Sequence, residues 1–199
     1  MTKRGAFICL EGLDGSGKTT QAKMLAEKLK ADYNAVYTAE PSHGKIGAFI
    51  RKHYLYGEKR LSSAIEALLF AADRMEHVET EILPALQQGR LVISDRYLYS
   101  SIAYQGAAGL SIEWIEKINE YALKPDLAVF IDVDPKVAMK RLKPNKSVME
   151  NFETQQKVRE IYLKFVEKGI LIRVNGNQPK NTVARELYAV VKRFLEKFY

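Results

Sequence analysis

The chain of 199 residues has a single cysteine, Cys9, which excludes an intrachain disulfide and any multi-cysteine metal centre. Long hydrophobic runs are also missing. The longest, Ala67 to Ala72, has six residues, against about 20 for a bilayer span. The opening MTKRGAFICLEG runs straight into a strand-like segment, with neither the apolar core nor the small-residue cleavage site of an export signal. His43, His53 and His77 are far apart and match no metal-ligand spacing. The sequence has no internal repeat, no low-complexity tract and no linker long enough to divide domains. RNA-binding aromatic motifs, zinc-finger spacing and helix-turn-helix patterns are absent too. The expectation is one soluble domain, residues 1–199, working in the cytoplasm without membrane or nucleic-acid partners.

What the chain does have is positive charge, with 31 Lys and Arg against 24 Asp and Glu, a formal net charge of +7. Much of it lies between Lys136 and Lys146 and at Lys192, Arg193 and Lys197. A basic balance fits a polyanionic ligand and fits a solvated surface equally well, so charge alone does not choose. The hydrophobic pattern says more. Residues 6–10, 35–38, 91–94, 127–132 and 170–174 are short apolar runs, mostly rich in β-branched or aromatic residues, and predict buried strands. Between them apolar residues recur at helical spacing, as in Ala22, Leu25, Ala26 and Leu29, or Val183, Leu187, Val190, Val191, Phe194 and Phe198. Asp134-Pro135 has the form of an N-cap followed by a first-turn proline. Strands alternating with crossover helices imply an α/β fold: three α/β/α layers around a five-stranded parallel sheet. The stretch KPNKS, residues 143–147, reads as a loop, part of a short basic lid over roughly residues 140–150.

The strongest local signal is Gly12, Leu13, Asp14, Gly15, Ser16, Gly17, Lys18 and Thr19, a complete G-x-x-x-x-G-K-[ST] between a strand and an amphipathic helix. Glycines there let backbone N–H groups curl around phosphates, and the helix N-terminus that follows, through Thr20, adds positive potential. Lys18 would reach the β- and γ-phosphates of a nucleoside triphosphate, and the Thr19 hydroxyl would ligate Mg²⁺. A GTPase would carry a base-reading Asn-Lys-x-Asp after a late strand. The Asn145-Lys146-Ser147-Val148 here lacks the aspartate.

Five segments together carry a resemblance: FICLEGLDGSGKTTQ (7–21), TAEP with a following IR (38–51), LLFAADR (68–74), ISDRYLYSSIAYQG (93–106) and MENFE (149–153). In this order the chain resembles the thymidylate kinases, of the nucleoside monophosphate kinase group, over almost its whole length. The resemblance implies ATP + dTMP giving dTDP and ADP, with ATP and Mg²⁺ required and a homodimer as the usual assembly. The acceptor phosphate is already an anionic nucleophile, so cations and positioning are needed more than a base.

Residue by residue, the resemblance implies that Arg96, at a strand end where ligands gather in open α/β sheets, clamps the transferring phosphoryl group. Asp95 holds Mg²⁺ directly or through water, and Arg51 grips the dTMP phosphate. Glu40 supports its loop and the acceptor arginine. Phe70, which on spacing alone reads as core, stacks on thymine, and Arg74 hydrogen-bonds the base. Ser101 falls at the pyrimidine edge, Tyr104 falls against the deoxyribose, and Gln105 is a further substrate-binding position. Asp14 falls near the 3′-hydroxyl and the catalytic arginine.

Some relatives carry an extra catalytic arginine inside the phosphate loop and others in the lid. Gly15 occupies the loop position here, so the lid must supply the charge, from Lys140, Arg141, Lys143 or Lys146. Arg141 also matches a residue packing near adenine. MENFE departs from the common Asp-Arg-x-Glu form at Glu150 and Asn151 and keeps Glu153. Cys9 reads as a small buried apolar residue, and Trp114 as helix packing or a subunit contact. Two rival readings are a related kinase with another nucleotide or deoxynucleoside acceptor, and a non-catalytic nucleic-acid-binding protein that keeps the loop as a relic.

Overall fold

Runs with alternating or continuous apolar character form five strands: β1 (Phe7–Glu11), β2 (Val36–Ala39), β3 (Val92–Asp95), β4 (Leu127–Asp132) and β5 (Ile172–Asn175). They build one sheet in the order β2-β3-β1-β4-β5, with every pairing parallel. Central β1, β3 and β4 are buried at every position, as a sheet covered on both faces requires. This is the three-layer α/β architecture that the alternation implies. The structure is a computed structural model and describes residues 4–55, 61–142 and 152–199, leaving aside the side chains at 54 and 55. Lys143, Lys146, Glu150 and Asn151, with most of the 140–150 lid, lie outside those residues.

Nine α-helices flank the sheet among the described residues: α1 (Lys18–Tyr33), α2 (Lys45–Ile50), α3 (Ser63–His77), α4 (Leu83–Gln87), α5 (Leu98–Ala107), α6 (Ile112–Ile118), α7 (Pro135–Arg141), α8 (Phe152–Glu167) and α9 (Lys180–Phe198). Arg51–Leu55 and Val78–Ile82 continue α2 and α3 as wider π-helical turns, a local form that recurs near functional sites. Asp134 caps α7 as its sequence suggests, its carboxylate accepting the Lys136 N–H at 2.8 Å ahead of Pro135 in the first turn. In α9, Val183, Leu187, Val191 and Leu195 are buried, and Val190, Phe194 and Phe198 pack at the margin. No described helix is long and apolar enough to cross a membrane.

Strand boundaries differ from the sequence expectation by one or two residues. The clearest case is β5, which begins at Ile172 rather than at 170. The N–H groups of Ile170 and Leu171 both bond to the Phe165 carbonyl, so the end of α8 takes donors that a longer strand would have used. Parallel strands align their carboxyl ends on one edge. That edge carries the Gly12–Lys18 loop after β1, the Glu40-Pro41 cis peptide after β2, Arg96 after β3, Asp134 after β4 and Gly176 after β5.

Candidate active site

The loop after β1 turns on glycines with left-handed backbone, Gly15 at φ 78° and Gly17 at φ 89°, the latter serving as N-cap of α1. A Cβ at Gly15 would overlap the carbonyl oxygen of Ala138, because the last turns of α7 lie directly on the loop. Lys18 is almost wholly buried inside the turn, its Nζ 2.6 Å from the Leu13 carbonyl and 3.4 Å from the Ser16 hydroxyl. Burial first, then the charge of Arg96, lower the Lys18 ammonium to about 8. Thr19, exposed at the mouth, donates its hydroxyl to Asp95 Oδ2 at 2.5 Å. Asp95 Oδ1 is buried without a hydrogen-bond partner. A hydroxyl oxygen beside a carboxylate with one unspent oxygen is a donor set that suits a hard divalent cation.

Arg96 follows β3 with φ 71°, a left-handed conformation that costs a non-glycine residue about 1–2 kcal/mol. Its backbone N–H bonds to the Leu10 carbonyl at 2.9 Å, which ties the turn to the foot of the loop. The guanidinium forms an ion pair with Asp14 through Nη2, donates from Nη1 to Ser100 Oγ at 3.1 Å and lies 5.0 Å from the centre of the Tyr104 ring. The Tyr104 hydroxyl accepts the Asp14 N–H at 2.9 Å. Burial alone would raise the Asp14 carboxyl, but Arg96 and Lys18 outweigh it and hold it below the usual range. Lys18, Asp14, Arg96 and Tyr104 are therefore one cluster at the mouth of the loop.

A second polar group lies on the α3 side. Arg74 is fully buried, with Nη2 donating to Glu40 Oε2 at 2.6 Å and to Ser101 Oγ at 2.9 Å, and Nη1 donating to Asn119 Oδ1 at 2.5 Å. The other oxygen of Glu40 faces His77 Nδ1 at 3.3 Å, and His77 Nε2 meets Thr38 Oγ1 at 2.6 Å. Asp73 receives the Ser42 N–H at 2.8 Å and its hydroxyl at 2.6 Å, which pins the turn after the cis peptide. Arg51 Nη1 donates to the carbonyls of Pro41 and Ser42 at 2.7 and 2.5 Å. Glu40 thus pairs with Arg74, whereas Arg51 is held by backbone oxygens of the same turn. Phe70 is half-buried one turn before Arg74, and Gln105 is buried with its amide on Glu66 and its Oε1 without a partner.

Arg141 lies apart from both clusters. It sits at the end of α7, exposed, with both Nη atoms 3.4 Å from the Gly176 carbonyl across the β4–β5 edge. Thr20 is exposed on the first turn of α1. Cys9 is fully buried in β1, and Trp114 is half-buried on α6. Sequence reasoning passed over Ser42, Asp73, His77, Ser100 and Asn119, buried polar groups of these networks, and over the fully buried Glu11 and Tyr162. A charged residue closing an apolar strand, as Glu11 does after FICL, is the one signal that could have marked it beforehand.

A family model described as thymidylate kinase matches residues 10–187. Among curated proteins, one from Pyrococcus abyssi named "Probable thymidylate kinase" is 46% identical over 201 residues, covering 96% of this chain and 98% of that protein. One of the same name from Thermococcus kodakarensis is 44% identical, with coverage of 95% and 98%. Another of that name from Staphylothermus marinus is 43% identical, with coverage of 96% on each side.

Proposed function

The chain belongs to the thymidylate kinase family, and from that premise we propose that it transfers the γ-phosphate of ATP to dTMP, giving dTDP and ADP. The observation that carries this reading is the single cluster of Lys18, Asp14, Arg96 and Tyr104 at the mouth of a phosphate loop.

The acceptor oxygen of dTMP carries its own negative charge, so the task is to bring two polyanions together. Lys18 moves its ammonium from the Leu13 carbonyl onto phosphate oxygens, and the loop N–H groups with the start of α1 cradle the same phosphates. Arg96, held by Asp14 and Ser100, offers its guanidinium to the phosphoryl group in transfer. Arg51, anchored on Pro41 and Ser42, grips the acceptor phosphate. Thr19 and Asp95, with the unpartnered Oδ1, would hold Mg²⁺, which when bound neutralises charge on the donor phosphates.

Phe70 stacks on thymine, with Arg74, Ser101 and Gln105 at the pyrimidine side and Glu40 fixing Arg74. Tyr104 packs against the deoxyribose, and Asp14 faces the 3′-hydroxyl. Arg141 supports adenine near Gly176, and the lid completes the cationic surround. Residues 1–199 act as one domain in the cytoplasm. Ile65 and Leu68, 45% and 50% exposed one turn apart on α3, support a homodimer through this face.

The test is ADP release from ATP and Mg²⁺ with dTMP, dUMP, UMP, CMP, AMP, GMP and thymidine offered separately. Preference for dTMP over the ribonucleotides is expected, with some dUMP turnover, since a methyl group is worth only about 1–3 kcal/mol. Turnover with a different acceptor would discard the pocket assignment. Silence with every acceptor, alongside tight salt-dependent nucleic-acid binding, would favour the non-catalytic rival.

A further inference from the structure

Glu11 ends β1 as a fully buried carboxylate that the transfer reaction does not use. Its Oε1 accepts the Tyr97 N–H at 3.0 Å, and its Oε2 accepts the Ser100 hydroxyl at 2.5 Å and the Tyr162 hydroxyl at 3.1 Å. The donors come from both sides: Tyr97 and Ser100 from the start of α5, and Tyr162 from the middle of α8. Tyr162 is itself fully buried, its ring stacked on Phe130 at 4.8 Å.

Hydrogen counting gives this arrangement a direction. Ser100 has one hydroxyl hydrogen and two lone pairs. With Glu11 ionised, that hydrogen goes to Oε2 and the lone pairs are left to accept from Arg96 Nη1 at 3.1 Å. The Ser100 hydroxyl also lies 3.0 Å from the Tyr162 hydroxyl, so a protonated Glu11 would donate to Ser100 and send its hydrogen to Tyr162, replacing the charge-assisted bond that fixes the Ser100 oxygen beside Arg96 with weaker neutral ones. A buried carboxylate is costly, and a purely structural contact here could be made by apolar side chains. We infer that Glu11, acting through Ser100 and steadied by Tyr162, is the positioning residue that aims the Arg96 guanidinium, so that α8 takes part in catalysis without touching substrate. The inference rests on Arg96 being the phosphate-clamping arginine.

The groups facing Glu11 are Arg96, Ser100 and Tyr99 from the β3–α5 side, Lys18 from α1, Tyr162 from α8 and Cys9 on its own strand. Burial raises the Glu11 carboxyl to about 7, against the opposing pull of Ser100, Arg96, Tyr162 and Lys18. The charged, aiming form is therefore lost as pH falls through 7.

The test is kcat and KM for both substrates across pH 5.5–9, with thermal melts, for the wild type, Glu11→Gln, Ser100→Ala, Tyr162→Phe and Arg96→Ala. Glu11→Gln is expected to lower kcat about 10²-fold, leave KM for ATP nearly unchanged and remove an acid limb near pH 7. Ser100→Ala and Tyr162→Phe should each cost roughly tenfold in kcat. Tyr162→Phe should also move the acid limb to higher pH, because it deletes a hydrogen bond to the charged form. If Glu11→Gln does not fold, Tyr162→Phe decides, since it removes one oxygen and keeps the stacked ring. An acid limb identical in all folded variants belongs to the substrate phosphate and overturns the inference, as does unchanged kcat in Tyr162→Phe and Ser100→Ala. Full turnover in Arg96→Ala would instead sink the role given to Arg96, and the positioning role with it.

Discussion

The loop side and the α3 side of the site handle charge in opposite ways. At the loop, Lys18 rests on a carbonyl and a hydroxyl, and Asp95 keeps one buried oxygen unpartnered. On the α3 side, Arg74 spends both terminal nitrogens on Glu40, Asn119 and Ser101, and Glu40 also meets His77, with Arg74 Nε and Gln105 Oε1 left buried without a partner. The contrast follows from the ligands each side would meet. A triphosphate brings its own charge, so the protein keeps cations ready to exchange partners. A pyrimidine is neutral, so the groups around it are fixed beforehand by internal bonds.

That contrast predicts stability effects on one side and kinetic effects on the other. The largest stability loss is expected from Arg74→Ala, which leaves Glu40 buried without its guanidinium. Breaking such a pair costs about 3–5 kcal/mol, so chemical denaturation should show it clearly. Lys18→Ala and Arg96→Ala should each lose at least about 10²–10³-fold in kcat while melting close to the wild type. A melting loss for Lys18→Ala as large as that for Arg74→Ala would break the comparison.

The alkaline side sharpens it. As pH rises through about 8, the free enzyme loses the Lys18 charge, and kcat/KM for ATP should fall roughly tenfold by pH 9–9.5. The folded value lies below the 10.5 of an ordinary lysine, so between the two the unfolded chain holds more protons and stability rises with pH. A constant or rising Tm over that window would separate loss of charge from unfolding. The smallest effect concerns the backbone. Arg96→Gly and Arg96→Ala remove the same guanidinium, yet the glycine should be the more stable by about 1 kcal/mol, because φ 71° suits it.

These two sides were also unequally legible in the sequence. The phosphate loop is eight consecutive residues whose spacing is itself the mechanism, so Gly12 to Thr19 could be read without coordinates. The parallel sheet followed from five apolar runs separated by helical spacing; its boundaries shifted by one residue at β1, β2 and β3, and the start of β5 by two, where α8 took donors from residues 170 and 171. Arg74 and His77 share α3, but Ser101 and Asn119 reach Arg74 from 27 and 45 residues further along, beyond β3. Nothing local in DRMEH distinguishes a buried arginine from an exposed one, and His77 read as an unremarkable core or surface histidine. Glu40 was linked to the acceptor arginine, yet it faces Arg74, because the turn after β2 presents carbonyls rather than a carboxylate to Arg51.

The close approach of Ala138 to Gly15, where an added Cβ would overlap its carbonyl oxygen, couples the loop and α7 sterically. No side chain fits at position 15 until α7 has shifted, and a shift of α7 alone would strip the loop of its cover. Mutations on the two sides should therefore show strong sign epistasis, each harmful singly and tolerable only together. Placing a cationic side chain in the loop at position 15 is thereby closed in single steps, which explains in steric terms why glycine stands there.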